Sequence, residues 1–167
     1  HSMIVHAAGD YIDPLKFLIL SKLWSNRLAS KQIAQIIWQN SQLKNINFDY
    51  LIPIPLHWTR YAWRGYNQSE IICKELSKLS GKPYINIIKR TKKTFMQALF
   101  KPSMRVENIK GAFKLQNDKI KNHDYSDKVL VVVDDLMTTG VTLREAGKTL
   151  TLLEPKAIIA VVGSRVL

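Results

Sequence analysis

At 167 residues, with 46% hydrophobic and 23% charged residues, the chain has the usage of one ordinary globular domain, which excludes a disordered or fibrous protein. A formal charge of +12 favours an anionic partner, because a cationic surface concentrates phosphate-bearing ligands; nucleic acid, a polyphosphate metabolite and an acidic protein all fit it. The single cysteine, Cys73, excludes an intramolecular disulfide and any Cys/His zinc spacing, and reads as a buried small hydrophobe in a reducing, cytoplasmic setting.

His1-Ser2 ahead of Met3 reads as a cloning scar rather than a signal peptide, leaving residues 3–167 as one expected domain. Pro14 opens a stretch with Leu15, Leu18, Ile19 and Leu23 at helical spacing. A second apolar stripe through Ile33, Ile36 and Ile37 predicts a helix over 28–42. The run 49–54, broken by Pro53 and Pro55, suits a buried strand that empties into a rigid loop. Asn67 with Glu70 makes a capping-box pattern ahead of Ile71, Ile72, Leu76 and Leu79, and Gly81-Lys82-Pro83 supplies the stop. A short strand is expected at 85–88 and another at 112–115. Between them 90–110 has neither helical nor strand periodicity, over a length unusual for a passive connection, and reads as a functional loop.

Residues 120–127 are polar, and Val129 to Val133 then form a fully apolar strand that belongs in the middle of a parallel sheet. Leu143, Ala146, Leu150 and Leu153 line one helix face, and 157–162 is the next strand, so the C-terminal part predicts a strand, helix, strand unit with a right-handed crossover. The apolar runs at 129–133 and 157–162 are far shorter than the roughly 20 residues of a membrane helix, and no span is expected.

The chemistry concentrates where the apolar strand ends, in Asp134-Asp135-Leu136-Met137-Thr138-Thr139-Gly140-Val141-Thr142. In an open parallel sheet the ligand sits beyond the carboxyl ends of the strands. Thr138, Thr139 and Thr142 offer hydroxyls, Gly140 allows close backbone approach, and a helix start presents N–H groups to a phosphate. Asp134 and Asp135 repel a phosphate and suit ribose hydroxyls, or Mg²⁺ with its water shell, one sugar away. Thr142 with Glu145 also matches a capping box, so Thr142 serves equally as a helix cap or as a ligand. Gly147-Lys148-Thr149 resembles the end of a P-loop, but Thr142 stands where its first glycine belongs and the segment lies inside a helix. An aspartate pair also marks receiver domains, where it opens the fold; here only one further strand follows.

The stretch VVVDDLMTTGVTL, residues 131–143, resembles the phosphoribosyl pyrophosphate (PRPP) signature of type I phosphoribosyltransferases. The resemblance implies an α/β fold, a mostly parallel central sheet flanked by helices with a flexible loop. It also implies that Asp134 and Asp135 hold ribose hydroxyls while Thr138, Thr139, Gly140 and Thr142 hold the 5′-phosphate. Residues 52–70, IPIPLHWTRYAWRGYNQSE, resemble the signature of the ComF family, in which the corresponding loop implies pyrophosphate binding by Arg60 and Arg64. Guanidinium forks pair bidentately with such oxygens. Read without the family, the same stretch is a basic surface loop with Trp58, Tyr61 and Trp63 packed on the core.

Arg90, Gln97, Arg105 and Asn108 match the family's Arg, Gln, Arg, Asn, Gly-Ala-Phe pattern, which implies a flexible loop that closes over PRPP, with Lys92 and Lys93 in it. Arg105 is counted with Asp134 and Asp135 as catalytic. The implied reaction displaces pyrophosphate from C1 of PRPP by a nitrogen nucleophile, with Mg²⁺ as cofactor. The family also implies a competence or DNA-uptake role, in which PRPP or single-stranded DNA is held without transfer and Trp58, Tyr61, Trp63, Tyr66 and Phe95 stack bases. ComF members often carry a Cys-rich zinc ribbon, and with Cys73 alone zinc binding is not carried over. His57 and His123 read as surface histidines.

Overall fold

A computed structural model describes residues 3–11, 16, 19, 27–92, 109–121 and 123–166. Among these the elements run β1 (Ile4–Ala7), α1 (Arg27–Asn40), β2 (Tyr50–Pro53), α2 (Trp58–Arg64), α3 (Gln68–Ser80), β3 (Ile88–Arg90), β4 (Phe113–Leu115), α4 (Asn117–Ile120), β5 (Val129–Met137), α5 (Val141–Leu150) and β6 (Ala157–Arg165). Single 3-10 turns lie at Gln42–Asn45 and Thr151–Leu153. The expected cloning scar and most of the first helical stretch fall outside the described residues, although Ile19 within that stretch is helical and buried.

A β-branched apolar run such as Leu130 to Val133 can be buried on both faces only if helices cover both sides of its sheet. That is the arrangement here. Four parallel strands lie in the order β1-β6-β5-β2, with Leu51 opposite Val131 on one side of β5 and Ile159 opposite it on the other. Leu130 and Val132 pack with Leu143, Ala146 and Leu150 of α5, while Val131 and Val133 pack with Ile33 and Ile37 of α1 and Ile72 and Leu76 of α3. Burial of each such side chain contributes about 1.5–3 kcal/mol. β3 and β4 form a separate antiparallel pair whose Ile88 and Phe113 join the α5 side of the core. No helix among the described residues is long and apolar enough to cross a membrane.

Several boundaries differ from those the sequence suggests. β1 was not expected: four residues are too few to show a period, and Ile4 is largely exposed at the sheet edge. The strand expected at 85–88 begins only at Ile88, because that is where pairing with Leu115 starts. β5 and β6 run past their apolar cores to Met137 and Arg165, held together by the pairs Leu136–Ser164 and Met137–Arg165. The polar stretch before β5 is preceded by α4, a single helical turn.

α3 starts at Asn67, whose Oδ1 accepts the Ser69 N–H at 3.2 Å, and stops at Gly81 as its Gly-Lys-Pro signal predicts. Glu70 lies 3.5 Å from Lys74 Nζ, along the helix rather than back at the cap.

β6 approaches α1 and β5 so closely that glycine is required at position 163. A Cβ there would stand 2.7 Å from Ile33 Cγ2 and 2.9 Å from the Asp135 carbonyl oxygen. Gly163→Ala is therefore expected to destabilise the protein by about 1–3 kcal/mol, the usual cost of overpacking, read as a lowered thermal midpoint.

Candidate functional site

The acidic pair and the threonine-rich turn meet at the carboxyl end of β5. Asp134 and Asp135 lie inside the strand's last residues, not beyond its end, because pairing with β6 continues past them. Both are half-buried. Asp134 Oδ1 accepts two hydrogen bonds, from the Asp135 N–H at 2.9 Å and from the Ser69 hydroxyl of α3 at 2.9 Å.

Thr138 is exposed and Thr139, Gly140 and Thr142 are half-buried, and with Asp134 they line a small concavity floored by Val141 and Leu143. Gly140, at φ 70°, is the N-cap of α5 and brings no capping side chain. A backbone in that left-handed region strains any residue with a Cβ, and a helix start without a side-chain cap suits an anion. The Arg144 guanidinium donates to the Thr139 carbonyl at 2.8 Å and so fastens the turn. The proposed capping box is corrected here: Gly140 takes the cap, which puts Thr142 within the first turn of α5. Glu145 reaches instead to the Gly111 N–H at 3.0 Å and Lys148 Nζ at 2.6 Å.

The second constellation folds differently from the expected loop. Trp58–Arg64 is helical, with His57 as N-cap. Trp58, Tyr61 and Trp63 are 71%, 49% and 75% exposed, so they do not pack on the core. A helix of seven residues, about two turns long, has too little surface facing the core to bury all three rings. Arg60 and Arg64 lie on α2, and their side chains are outside the described positions. His57 is buried rather than on the surface, its Nδ1 2.9 Å from the Thr59 hydroxyl, while His123 is exposed.

Of the third constellation, Lys93, Gln97, Arg105 and Asn108 lie outside the described residues. Arg90 is on β3 and not in a loop, with its guanidinium carbon 5.6 Å from the Phe113 ring centre. Lys92 Nζ donates to the Lys110 carbonyl at 2.8 Å, joining the end of β3 to the short turn before β4. A backbone bridge between His57 and Arg90 joins this region to the second constellation, and Glu145 joins it to the first.

A family model described as "Phosphoribosyl transferase domain" matches residues 64–165, from the end of α2 to the end of β6. The chain belongs to this family. It is also 31% identical over 149 residues to competence protein F of Haemophilus influenzae, covering 85% of this chain and 64% of that one. Against the DNA utilization protein YhgH of Escherichia coli K12 it is 35% identical over 153 residues, covering 85% and 63%. The chain thus spans a little under two thirds of these relatives. Among solved structures, glutamine PRPP amidotransferase from Bacillus subtilis superposes with a TM-score of 0.52 at 14% identity, over 81% of this chain and 26% of that one, a likeness of fold.

In this phosphoribosyl transferase domain, sequence reasoning missed Ser69 and Glu145 as ligands of the site's own framework. Both stood inside recognised motifs, Ser69 one residue after Asn67-Gln68 and Glu145 at the wrong end of a supposed cap, but their partners are distant in sequence. Cys73, one turn beyond Ser69, is fully buried as expected; burial first, then the charges of Glu70 and Asp134, push its thiol well above the ordinary range.

Burial alone would raise the Glu145 carboxyl, but Lys148, the Gly111 N–H and Lys110 outweigh it and hold the group below its usual value of 4.5. A carboxylate with a depressed folded-state pKa stabilises the fold above its unfolded pKa and loses that contribution as pH falls. Glu145→Gln is therefore expected to lower the thermal midpoint at neutral pH, with the difference from the parent closing as pH drops below about 4.5. A difference that persists unchanged into acid would refute the role of the charge.

Proposed function

We propose that residues 3–167 act as one phosphoribosyltransferase domain, which binds PRPP with Mg²⁺ and transfers the phosphoribosyl group to a nitrogen nucleophile with release of pyrophosphate. The observation that carries this reading is a pair of adjacent carboxylates delivered by β5 beside a partly exposed Thr/Gly turn at a helix start. Asp134 and Asp135 suit the ribose hydroxyls, because like charge keeps them off the phosphates. Thr138, Thr139, Gly140 and Thr142 suit the 5′-phosphate. Arg60 and Arg64 are assigned to pyrophosphate, and Gln97, Arg105 and Asn108 to the segment that would cover the substrate, with Arg90 at its foot on β3.

Among the described residues no three His, Cys, Asp or Glu side chains converge into a protein-built metal cage. Two neighbouring carboxylates nonetheless fit Mg²⁺, which keeps several waters and is commonly held by one or two carboxylates together with substrate phosphates. Bound in that way it would offset charge on the departing pyrophosphate. In the reaction a nitrogen lone pair forms the new bond to C1 as the C1–O bond to pyrophosphate breaks. The chain contributes mainly by holding the sugar and both phosphate ends in line and by placing cationic groups where negative charge collects.

Calorimetry with PRPP and Mg²⁺ tests the site: Asp134→Asn/Asp135→Asn is expected to bind at least about tenfold more weakly than the parent, the loss of one or more charge-assisted hydrogen bonds. Equal binding would remove the assignment. Pyrophosphate release screened across nucleobases then tests transfer itself.

A second reading is a competence or DNA-uptake factor that holds PRPP or single-stranded DNA without transfer. It is favoured by Trp58 and Trp63, at 71% and 75% exposure, on a helix that also carries Arg60 and Arg64. Exposed aromatics beside cations stack bases while the backbone follows the charge. On this reading Trp58→Ala and Trp63→Ala weaken single-strand binding measured by fluorescence anisotropy, and affinity falls steeply with salt. Indifference to both salt and these substitutions would exclude it.

A further inference from the structure

We propose that Ser69 is the positioning residue for Asp134, fixing the carboxylate through which the sugar of PRPP is held. This inference rests on the PRPP reading above and deepens it. An aspartate at the end of a strand turns easily about its terminal bond, and a carboxylate that is to grip a hydroxyl gains from having one oxygen already committed. Asp134 Oδ1 is committed twice, to the Ser69 hydroxyl and to the Asp135 N–H, each at 2.9 Å. Two donors on one oxygen set the plane of the carboxylate, and with it the direction of Oδ2.

The Ser69 hydroxyl is itself well held. Ser69 is 4% exposed and sits in the first turn of the thirteen-residue helix α3. Its backbone N–H donates to Asn67 Oδ1 at 3.2 Å, and Asn67 Nδ2 donates to the Ile54 carbonyl, just past β2, at 2.9 Å. A continuous chain of hydrogen bonds therefore runs from the end of β2, through the start of α3, to the acidic pair on β5. The positive end of α3 lies at Asp134 as well, which adds a favourable dipole to the direct bond. Ser69 thereby makes the segment that carries Arg60 and Arg64 and the strand that carries Asp134 one mechanical unit. A hydroxyl is needed there, since an alanine would keep the helix but remove the donor that α3 supplies to Oδ1.

The test is Ser69→Ala against the parent, titrated with two probes. PRPP with Mg²⁺, followed by calorimetry, engages the sugar site, while inorganic phosphate, followed by the rise in thermal midpoint, engages anion-binding groups without a sugar. The expected result is roughly tenfold weaker PRPP binding, the value of a hydrogen bond to a charged group, with the phosphate response unchanged. Unchanged PRPP binding would overturn the role of Ser69 while leaving the PRPP reading intact. Equal weakening of both probes would make Ser69 a general structural residue and also overturn it. A parent protein that responds to neither probe would sink the underlying reading and this inference together.

Discussion

The double-sided burial of β5 is the constraint from which the rest of the structure follows. A strand with Leu130 to Val133 fully buried needs neighbours on both edges and helices on both faces, and β2, β6, α5, α1 and α3 supply them. Once the strand is held in that way, the polar residues that follow it have only one place to go, the carboxyl edge of the sheet. Asp134 and Asp135 are therefore displayed by the core rather than by a loop, and their spacing from the turn at 138–140 is set by strand pairing that continues to Met137.

Around that edge three stretches of sequence are tied together by a few polar links. Ser69 joins α3 to Asp134, Glu145 joins α5 to Gly111, and the His57–Arg90 bridge joins the start of α2 to β3. The Ser69–Asp134 bond is partly shielded from water, where a hydrogen bond left unmade is costly. The consequence for function, on the proposed reading, is that phosphate, sugar and pyrophosphate subsites belong to one frame.

How much of this was legible in the sequence varied with the kind of signal. The β5-α5-β6 unit was plain, because an unbroken β-branched run and a stripe through Leu143, Ala146 and Leu150 are strong local patterns. The phosphate turn was plain as well, since its threonines, glycine and acidic pair are contiguous. Less legible was α2: seven residues show no usable period, and nothing local says that Trp58 and Trp63 stay exposed. The Thr142–Glu145 capping box failed because a glycine with φ 70° two residues earlier already turned the chain into the helix.

By itself the amino-acid sequence determined the fold class, the order of the C-terminal elements, the buried Cys73 and the identity of the acidic pair and its turn. These depend on patterns within a few residues of one another or on a contiguous family signature. Only the tertiary structure decided that Ser69 serves Asp134, that Glu145 reaches Gly111 and that Gly163 must lack a side chain. Those three facts involve partners 65, 34 and 130 positions apart, the last being Ile33 against Gly163, and they come into being only when the sheet brings distant segments within bonding distance.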